Sequence, residues 1–110
     1  GVVDRLKFLN PVVVINEVEN VLTKYENYYR ITFTGKVKLN LYMHIALMIE
    51  RLFISREEKE DIKEKLSEPE AEFYVTSKNI FKPMENNYNI MVSQYEISLL
   101  YQLIGPFIQK

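Results

Sequence analysis

The sequence predicts an all-α fold, a compact bundle of five helices. Apolar residues recur every three or four positions along most of the chain, which is the period of an amphipathic helix. Helix start signals precede three of these segments, and only one short β-branched run separates them. The 110 residues are enough for one domain with a buried core, so residues 1–110 are interpreted as a single domain.

The first helix is predicted over residues 11–29. Asn10 can act as its N-cap, and Pro11 suits the first helical position. Val18, Leu22 and Tyr25 then fall on one face at helical spacing, with polar side chains on the other.

The second helix is predicted over residues 36–54, after a short loop that ends at Gly35. The stretch LNLYMHIALMIERLFI, residues 39–54, is apolar on most sides. Such a pattern is typical of a central buried helix.

A third helix is predicted over residues 56–67, capped by Ser55 with Glu58 as its capping-box partner and ended by Pro69. Its side chains are mostly charged. The carboxylates of residues 57–70 are therefore interpreted as a solvated face and not as a catalytic pair.

The last two helices are predicted from the spacing of apolar residues and from capping and helix-breaking residues. Residues 76–88 have helical spacing with a kink or break near Pro83. Ser93 and Glu96 can form a capping box that starts the fifth helix, and Gly105-Pro106 is expected to stop it.

Composition argues against several classes of function. There are 14 Lys and Arg residues and 15 Asp and Glu residues, a net charge of -1, without the basic surplus usual in nucleic-acid binders. Three glycines cannot build a phosphate loop, and one histidine without cysteine argues against a transition-metal site. We therefore expect no enzyme activity and no cofactor.

Location is predicted from what the sequence lacks. The absence of cysteine suits a reducing cytosol, and neither a signal peptide nor a membrane-spanning segment is recognisable. A cytoplasmic protein without membrane contact is expected. Because the chain begins at Gly1 and not at a methionine, we also expect it to be part of a larger protein.

Three polar residues of the second helix share one stripe. With 3.6 residues per turn, Asn40, His44 and Arg51 fall within roughly 40° of one another on an otherwise apolar helix. His44 is the one histidine of the chain. Glu50 lies on a different side, and the sequence gives it no role.

Two interpretations of this stripe remain open on the residues alone. In the first, His44 hydrogen-bonds a carbonyl or a tyrosine hydroxyl in the core, and Arg51 extends outward or pairs with a carboxylate. In the second, His44 is a phosphoryl acceptor, because a neutral imidazole is a competent nucleophile near pH 7. Arg51 would then hold the phosphoryl group, which matches guanidinium geometry.

Three ordered segments resemble one known family. FLNP (residues 8–11), LYMHIALMIERL (residues 41–52) and YEISLLYQLI (residues 95–104) are similar to a PTS regulation domain, or PRD. The likeness is greatest to the C-terminal PRD of sigma-54-dependent activators of the levanase-operon regulator type, and it covers about residues 6–104.

The resemblance implies a five-helix fold that usually dimerises within a larger transcriptional regulator. It implies that a phosphotransferase-system IIB component or HPr phosphorylates a histidine according to sugar supply. His44 matches the acceptor, Arg51 the arginine seven residues later, and Glu96 the acidic residue that begins the last helix. Asn40 and Arg51 are predicted to position the phosphoryl group.

The sequence departs from the family in the last helix. Many PRDs carry a second acceptor histidine there, six or seven residues after the acidic position, where this chain has Gln102 and Leu103. His44 is therefore the one predicted acceptor.

The leading hypothesis is a phosphorylation-responsive homodimer whose nucleic-acid contacts are made elsewhere in the parent regulator. One rival is a purely structural helical dimerisation module with His44 in its core. Another is a histidine-phosphotransfer bundle of a two-component system, although the second helix is very apolar for an exposed acceptor helix.

Overall fold

The computed structural model describes residues 10–55 and 64–108. Within these ranges the chain forms four α-helices and no strand. The all-α prediction is confirmed there, but with four helices and not five. The helices are α1 (Pro11–Tyr29), α2 (Gly35–Ser55), α3 (Glu68–Tyr88) and α4 (Gln94–Ile108).

The bounds of α1 are those predicted, and α2 extends the prediction by one residue at each end. The Asn10 side chain accepts a hydrogen bond from the Val12 amide at 2.9 Å, which confirms the predicted N-cap. Arg30 adopts the left-handed conformation after α1, and its amide donates to the Glu26 carbonyl. A short loop then leads to Gly35.

The predicted helix over residues 56–67 is not confirmed. Residues 56–63, which include Glu58 of the proposed capping box, lie outside the described residues, whereas Ser55 is the last residue of α2 and residues 64–67 are not helical. Pro69 does not end a helix but stands in the first turn of α3, where a missing amide hydrogen is tolerated. Ser67 is the N-cap, accepting from the Glu70 amide at 3.4 Å.

Proline also fails to end helices later in the chain. The prediction of a helix over residues 76–88 began eight residues too late, and α3 continues through Pro83. Likewise α4 continues through Gly105 and Pro106, which we expected to stop it. Each proline deprives the carbonyl four residues earlier of its helical partner, but Asn79 and Gln102 are both exposed, so water can satisfy them.

The core is formed by one face of each helix. The closest helix pairs are α1 with α2, α1 with α3, and α3 with α4. The Tyr25 ring stacks on Phe73 at 5.5 Å, and its hydroxyl donates to Ser77 at 2.6 Å. The fully buried larger side chains are Leu22, Tyr25, Leu41, Ile45, Met48, Ile49, Phe53, Phe73, Phe81, Met84, Ile97 and Leu100.

α2 is not the centrally buried helix that its composition predicted. One face packs into the core, but the other leaves four large apolar side chains 49–64% exposed. At about 100° per residue, these four fall within about 80° of one another and border the polar stripe. We call them the apolar edge of α2: Leu39, Met43, Leu47 and Ile54.

Candidate functional site

The polar stripe of α2 lies on the outer face of the helix. Asn40 and Arg51 are exposed and His44 is half-buried. Because α2 is unbroken between Asn40 and Arg51, the three residues share one face. The seven-residue step from His44 to Arg51 corresponds to a rise of about 10 Å.

The clearest polar contact of the stripe is an ion pair between Arg51 and Glu96. Nη2 of Arg51 hydrogen-bonds Oε1 of Glu96, which joins α2 to the first turn of α4. The Arg51 side chain is 57% exposed, whereas that of Glu96 is only 7% exposed. The cation therefore sits at the surface and reaches a carboxylate that is buried.

Glu96 takes part in two separate interactions at the start of α4. Its amide donates to the Ser93 hydroxyl at 3.4 Å, which is the capping contact that the Ser93–Glu96 spacing predicted. Its carboxylate oxygen Oε1 binds Arg51, while Oε2 is buried with no hydrogen-bond partner among the described residues. The carboxylate is thus only partly satisfied.

Sequence reasoning missed the pairing of Arg51 with Glu96. The two residues are 45 positions apart, so no helical spacing connects them. The resemblance had singled out both residues separately. The one available signal was a lone arginine on an apolar helix, for which a carboxylate partner was one of the options considered.

His44 is half-buried on the outer face of α2. Among the described residues, its imidazole has no hydrogen-bond partner. The carbonyl or tyrosine contact expected for a core histidine is therefore not seen in that part of the chain. Met43 and Leu47 of the apolar edge are its exposed neighbours on α2.

A shallow, open depression lies beside the C-terminal half of the stripe. It has a volume of about 380 Å³ and is lined by Leu47, Glu50, Arg51 and Ile54. Glu50 is exposed and has no ion-pair partner in the described ranges. The depression therefore combines two charges of opposite sign with part of the apolar edge.

The turn that carries His44 is attached to α1 by polar contacts. The Tyr42 hydroxyl hydrogen-bonds the Glu19 carboxylate and lies 3.1 Å from the Ile15 carbonyl, and Lys38 lies 3.4 Å from Glu19. The Tyr42 hydrogen bond, followed by Lys38, lowers the pKa of Glu19. Burial, followed by the bond to Glu19, raises the pKa of Tyr42 to about 12. These contacts join the N-terminal half of α2 to α1.

The described part of the chain contains no group of three or more His, Cys, Asp or Glu residues that could hold a metal ion. No helix within it is both long enough and apolar enough to cross a membrane.

Comparison with known proteins shows the family to which the chain is similar. The family model of the PRD domain matches residues 19–106, a span that includes Asn40, His44, Arg51 and Glu96. The transcriptional regulatory protein DagR of Salmonella typhimurium (strain 14028s / SGSC 2262) is 25% identical over 104 residues. That alignment covers 94% of this chain and 11% of DagR, so the chain spans only a small part of its relative. No solved structure matches the chain.

Proposed function

The chain belongs to the PRD domain family, and on this premise we propose that it is a non-enzymatic regulatory domain of a bacterial transcriptional regulator. A phosphotransferase-system IIB component or HPr phosphorylates His44 in response to sugar supply. The observation that carries this proposal is the position of His44. It lies half-buried on the open face of α2, without a hydrogen-bond partner among the described residues and in line with Arg51.

The proposed chemistry is a phosphoryl transfer between two proteins. A neutral imidazole nitrogen of His44 attacks the phosphorus of a phosphorylated donor side chain. The new N–P bond forms as the bond between phosphorus and the donor atom breaks, and that electron pair returns to the donor. No metal or cofactor is required by this exchange.

Two neighbours of His44 are suited to position the phosphoryl group. Side chains on a helix lean toward its N-terminus, so the Arg51 side chain, when released from Glu96, can extend along the stripe in the direction of His44. Its guanidinium can donate two parallel hydrogen bonds to phosphate oxygens. Asn40 lies one turn before His44, and its amide can donate from the other side.

The apolar edge of α2 supports a dimer as the element that responds. A second copy covering this edge would bury Met43 and Leu47 beside His44. A dianionic phosphoryl group is costly to bury without a counter-charge, so phosphorylation changes the stability of that contact. The parent regulator is proposed to be a cytoplasmic, sigma-54-dependent activator that contacts nucleic acid through other domains.

Phosphate labelling tests the acceptor. The chain is incubated with enzyme I, HPr, the cognate IIB protein and phosphoenolpyruvate, and we expect an acid-labile phosphoryl group. His44→Gln should abolish the label. Equal labelling of His44→Gln and the parent would refute the proposal.

Two asparagine variants test the positioning role. Asn40→Ala should slow labelling of His44 several-fold, because one donor to the phosphoryl group is lost. Asn16→Ala, at an exposed asparagine of α1, is the matched control and should label at the parent rate. Equal rates for both variants would remove Asn40 from the site.

The exposed apolar edge also favours a second candidate, a purely structural dimerisation module. In that case Leu47→Glu would dissociate a dimer detected by sedimentation, whereas Val75→Glu, at an equally exposed residue of α3, would not. A dimer with this behaviour and no label from the phosphodonor would select this candidate over the first.

A further inference from the structure

The Arg51–Glu96 ion pair connects two helices that are not among the closest-packed pairs of the described bundle. α1 packs on α2 and on α3, and α3 packs on α4, but α2 and α4 are not in this set. The ion pair is a direct polar contact between α2 and the first turn of α4. A substitution or a new contact at Arg51 would therefore affect the first turn of α4.

Glu96 depends on Arg51 for its counter-charge. The carboxylate is buried, Arg51 is its one ion-pair partner among the described residues, and Oε2 has no hydrogen-bond partner there. A buried carboxylate that loses its cation must move to water, take up a proton, or remain at a high free energy. Each of these outcomes disturbs the first turn of α4.

Arg51 can also be reached by an anion on His44. Both residues lie on one face of α2, and the guanidinium is more than half exposed, so it can leave Glu96 without crossing the core. A phosphoryl group has two negative charges and three acceptor oxygens, whereas Glu96 has one charge. The phosphoryl group is therefore the stronger competitor for the guanidinium donors.

We propose that the phosphoryl group on His44 and the carboxylate of Glu96 compete for Arg51, so that phosphorylation releases the start of α4 from α2. This inference rests on the proposed function and assigns Glu96 as a positioning residue of the switch. The two equilibria are linked. If phosphorylation weakens the Arg51–Glu96 ion pair by some factor, then loss of the ion pair favours phosphorylation of His44 by the same factor.

The first test follows amide hydrogen exchange in the parent chain with and without phosphorylation. Exchange over residues 94–100, the first turns of α4, should accelerate by a factor on the order of 5 to 150, the usual range of coupling between two sites. Exchange in the middle of α1 should change little. This measurement needs no variant and so does not depend on how substitutions fold.

The second test follows the equilibrium of phosphate between the donor and the chain. Glu96→Gln removes the competing charge, and the ratio of phosphorylated to free chain at a fixed donor ratio should rise at least about 5-fold. Exchange in its α4 should no longer respond to phosphorylation. Glu68→Gln, at an exposed carboxylate in the first turn of α3, is the matched control and should behave as the parent does.

The outcomes separate this inference from the proposed function. A parent that is labelled on His44 but shows unchanged exchange over residues 94–100 would overturn the competition while leaving His44 as acceptor. An unchanged phosphate equilibrium in folded Glu96→Gln would do the same. A parent that is not labelled on His44 would overturn both proposals.

Discussion

Two of the polar contacts between distant parts of this chain differ in how readily their side chains can change partners. Tyr25 and Ser77 form a neutral hydrogen bond between α1 and α3, and both side chains are fully buried. Arg51 and Glu96 form an ion pair between α2 and α4, with the cation largely in solvent and the anion buried. The first can open only if the core opens, whereas the second can open from the surface.

This difference indicates which contact is structural and which is available for regulation. Burial raises the pKa of the Tyr25 hydroxyl far above its ordinary value, because a phenolate could not be solvated in the core. The Arg51 side chain, in contrast, is more than half exposed to solvent. Contacts that change during function are expected at the less stable periphery of a fold.

The largest predicted effect comes from breaking the core around the first contact. Phe73 is buried and stacks against Tyr25 and Tyr29. Phe73→Ala should lower the free energy of unfolding by about 3–5 kcal/mol, through lost burial and the cavity that remains. Urea denaturation measures this loss. Val75→Ala, at an exposed residue of α3, should change it by less than about 0.5 kcal/mol.

A smaller effect is expected from removing the buried hydroxyl alone. Tyr25→Phe leaves the Ser77 hydroxyl without its partner in the core and should cost about 1–3 kcal/mol. The double variant Tyr25→Phe with Ser77→Ala should be more stable than the sum of the single effects, because no orphaned hydroxyl remains. If the single variants were neutral and additive, this hydrogen bond would not be the structural contact described above. His44 labelling should be normal in all three.

Substitutions of the two partners of the Arg51–Glu96 ion pair should lower the free energy of unfolding by different amounts. Arg51→Gln leaves a buried charge and should cost about 1–2 kcal/mol, reduced by the solvent already around the guanidinium. Glu96→Gln removes that charge and should cost less. Chemical denaturation of both variants checks the order, and a greater loss in Glu96→Gln would contradict the assigned burial.

The smallest effect concerns alkaline pH. Because Tyr42 has a pKa of about 12 when folded, against 10.0 ordinarily, the fold favours its neutral form. The contribution of neutral Tyr42 to the free energy of unfolding is complete below pH 10 and is lost as the pH rises from 10 toward 12. Tyr42→Phe should therefore reduce the decline in stability over that interval, as followed by circular dichroism, and Tyr95→Phe is the exposed control. Tyr25 and Tyr29, whose pKa values burial also raises, should maintain the remaining decline.

Local signals predicted much of the fold. The bounds of α1 and α2 followed from the Asn10 cap, the apolar period and Gly35, all of which act within one or two turns. The errors in helix bounds came from expecting a helix to end or break at each proline. Pro69 alone predicts a helix end, but the Ser67 and Glu70 spacing around it is a capping signal that marks a helix start.

Gly105 illustrates why the end of α4 could not be predicted locally. A Cβ at this position would lie 3.3 Å from the Tyr101 ring, so glycine here permits close packing within the helix and does not end it. The need for a residue without a Cβ depends on how the Tyr101 ring packs. The local sequence around Gly105-Pro106 does not determine that packing.

The candidate site was predictable only in part. Helical spacing grouped Asn40, His44 and Arg51, because residues of one helix keep a fixed angular relation. It could not predict that Glu96 meets Arg51, or that α2 leaves its apolar edge exposed. Both depend on how α2 sits against the other helices, which is a property of the whole bundle.

The exposed edge of α2 has a kinetic consequence. His44 and the apolar side chains beside it occupy the same strip of surface, and one strip can be covered by only one protein at a time. If the phosphodonor and a second copy both use it as proposed, they exclude each other. The rate at which the chain is labelled would then fall as its own concentration rises, so that the abundance of the regulator would itself set how quickly it responds to sugar.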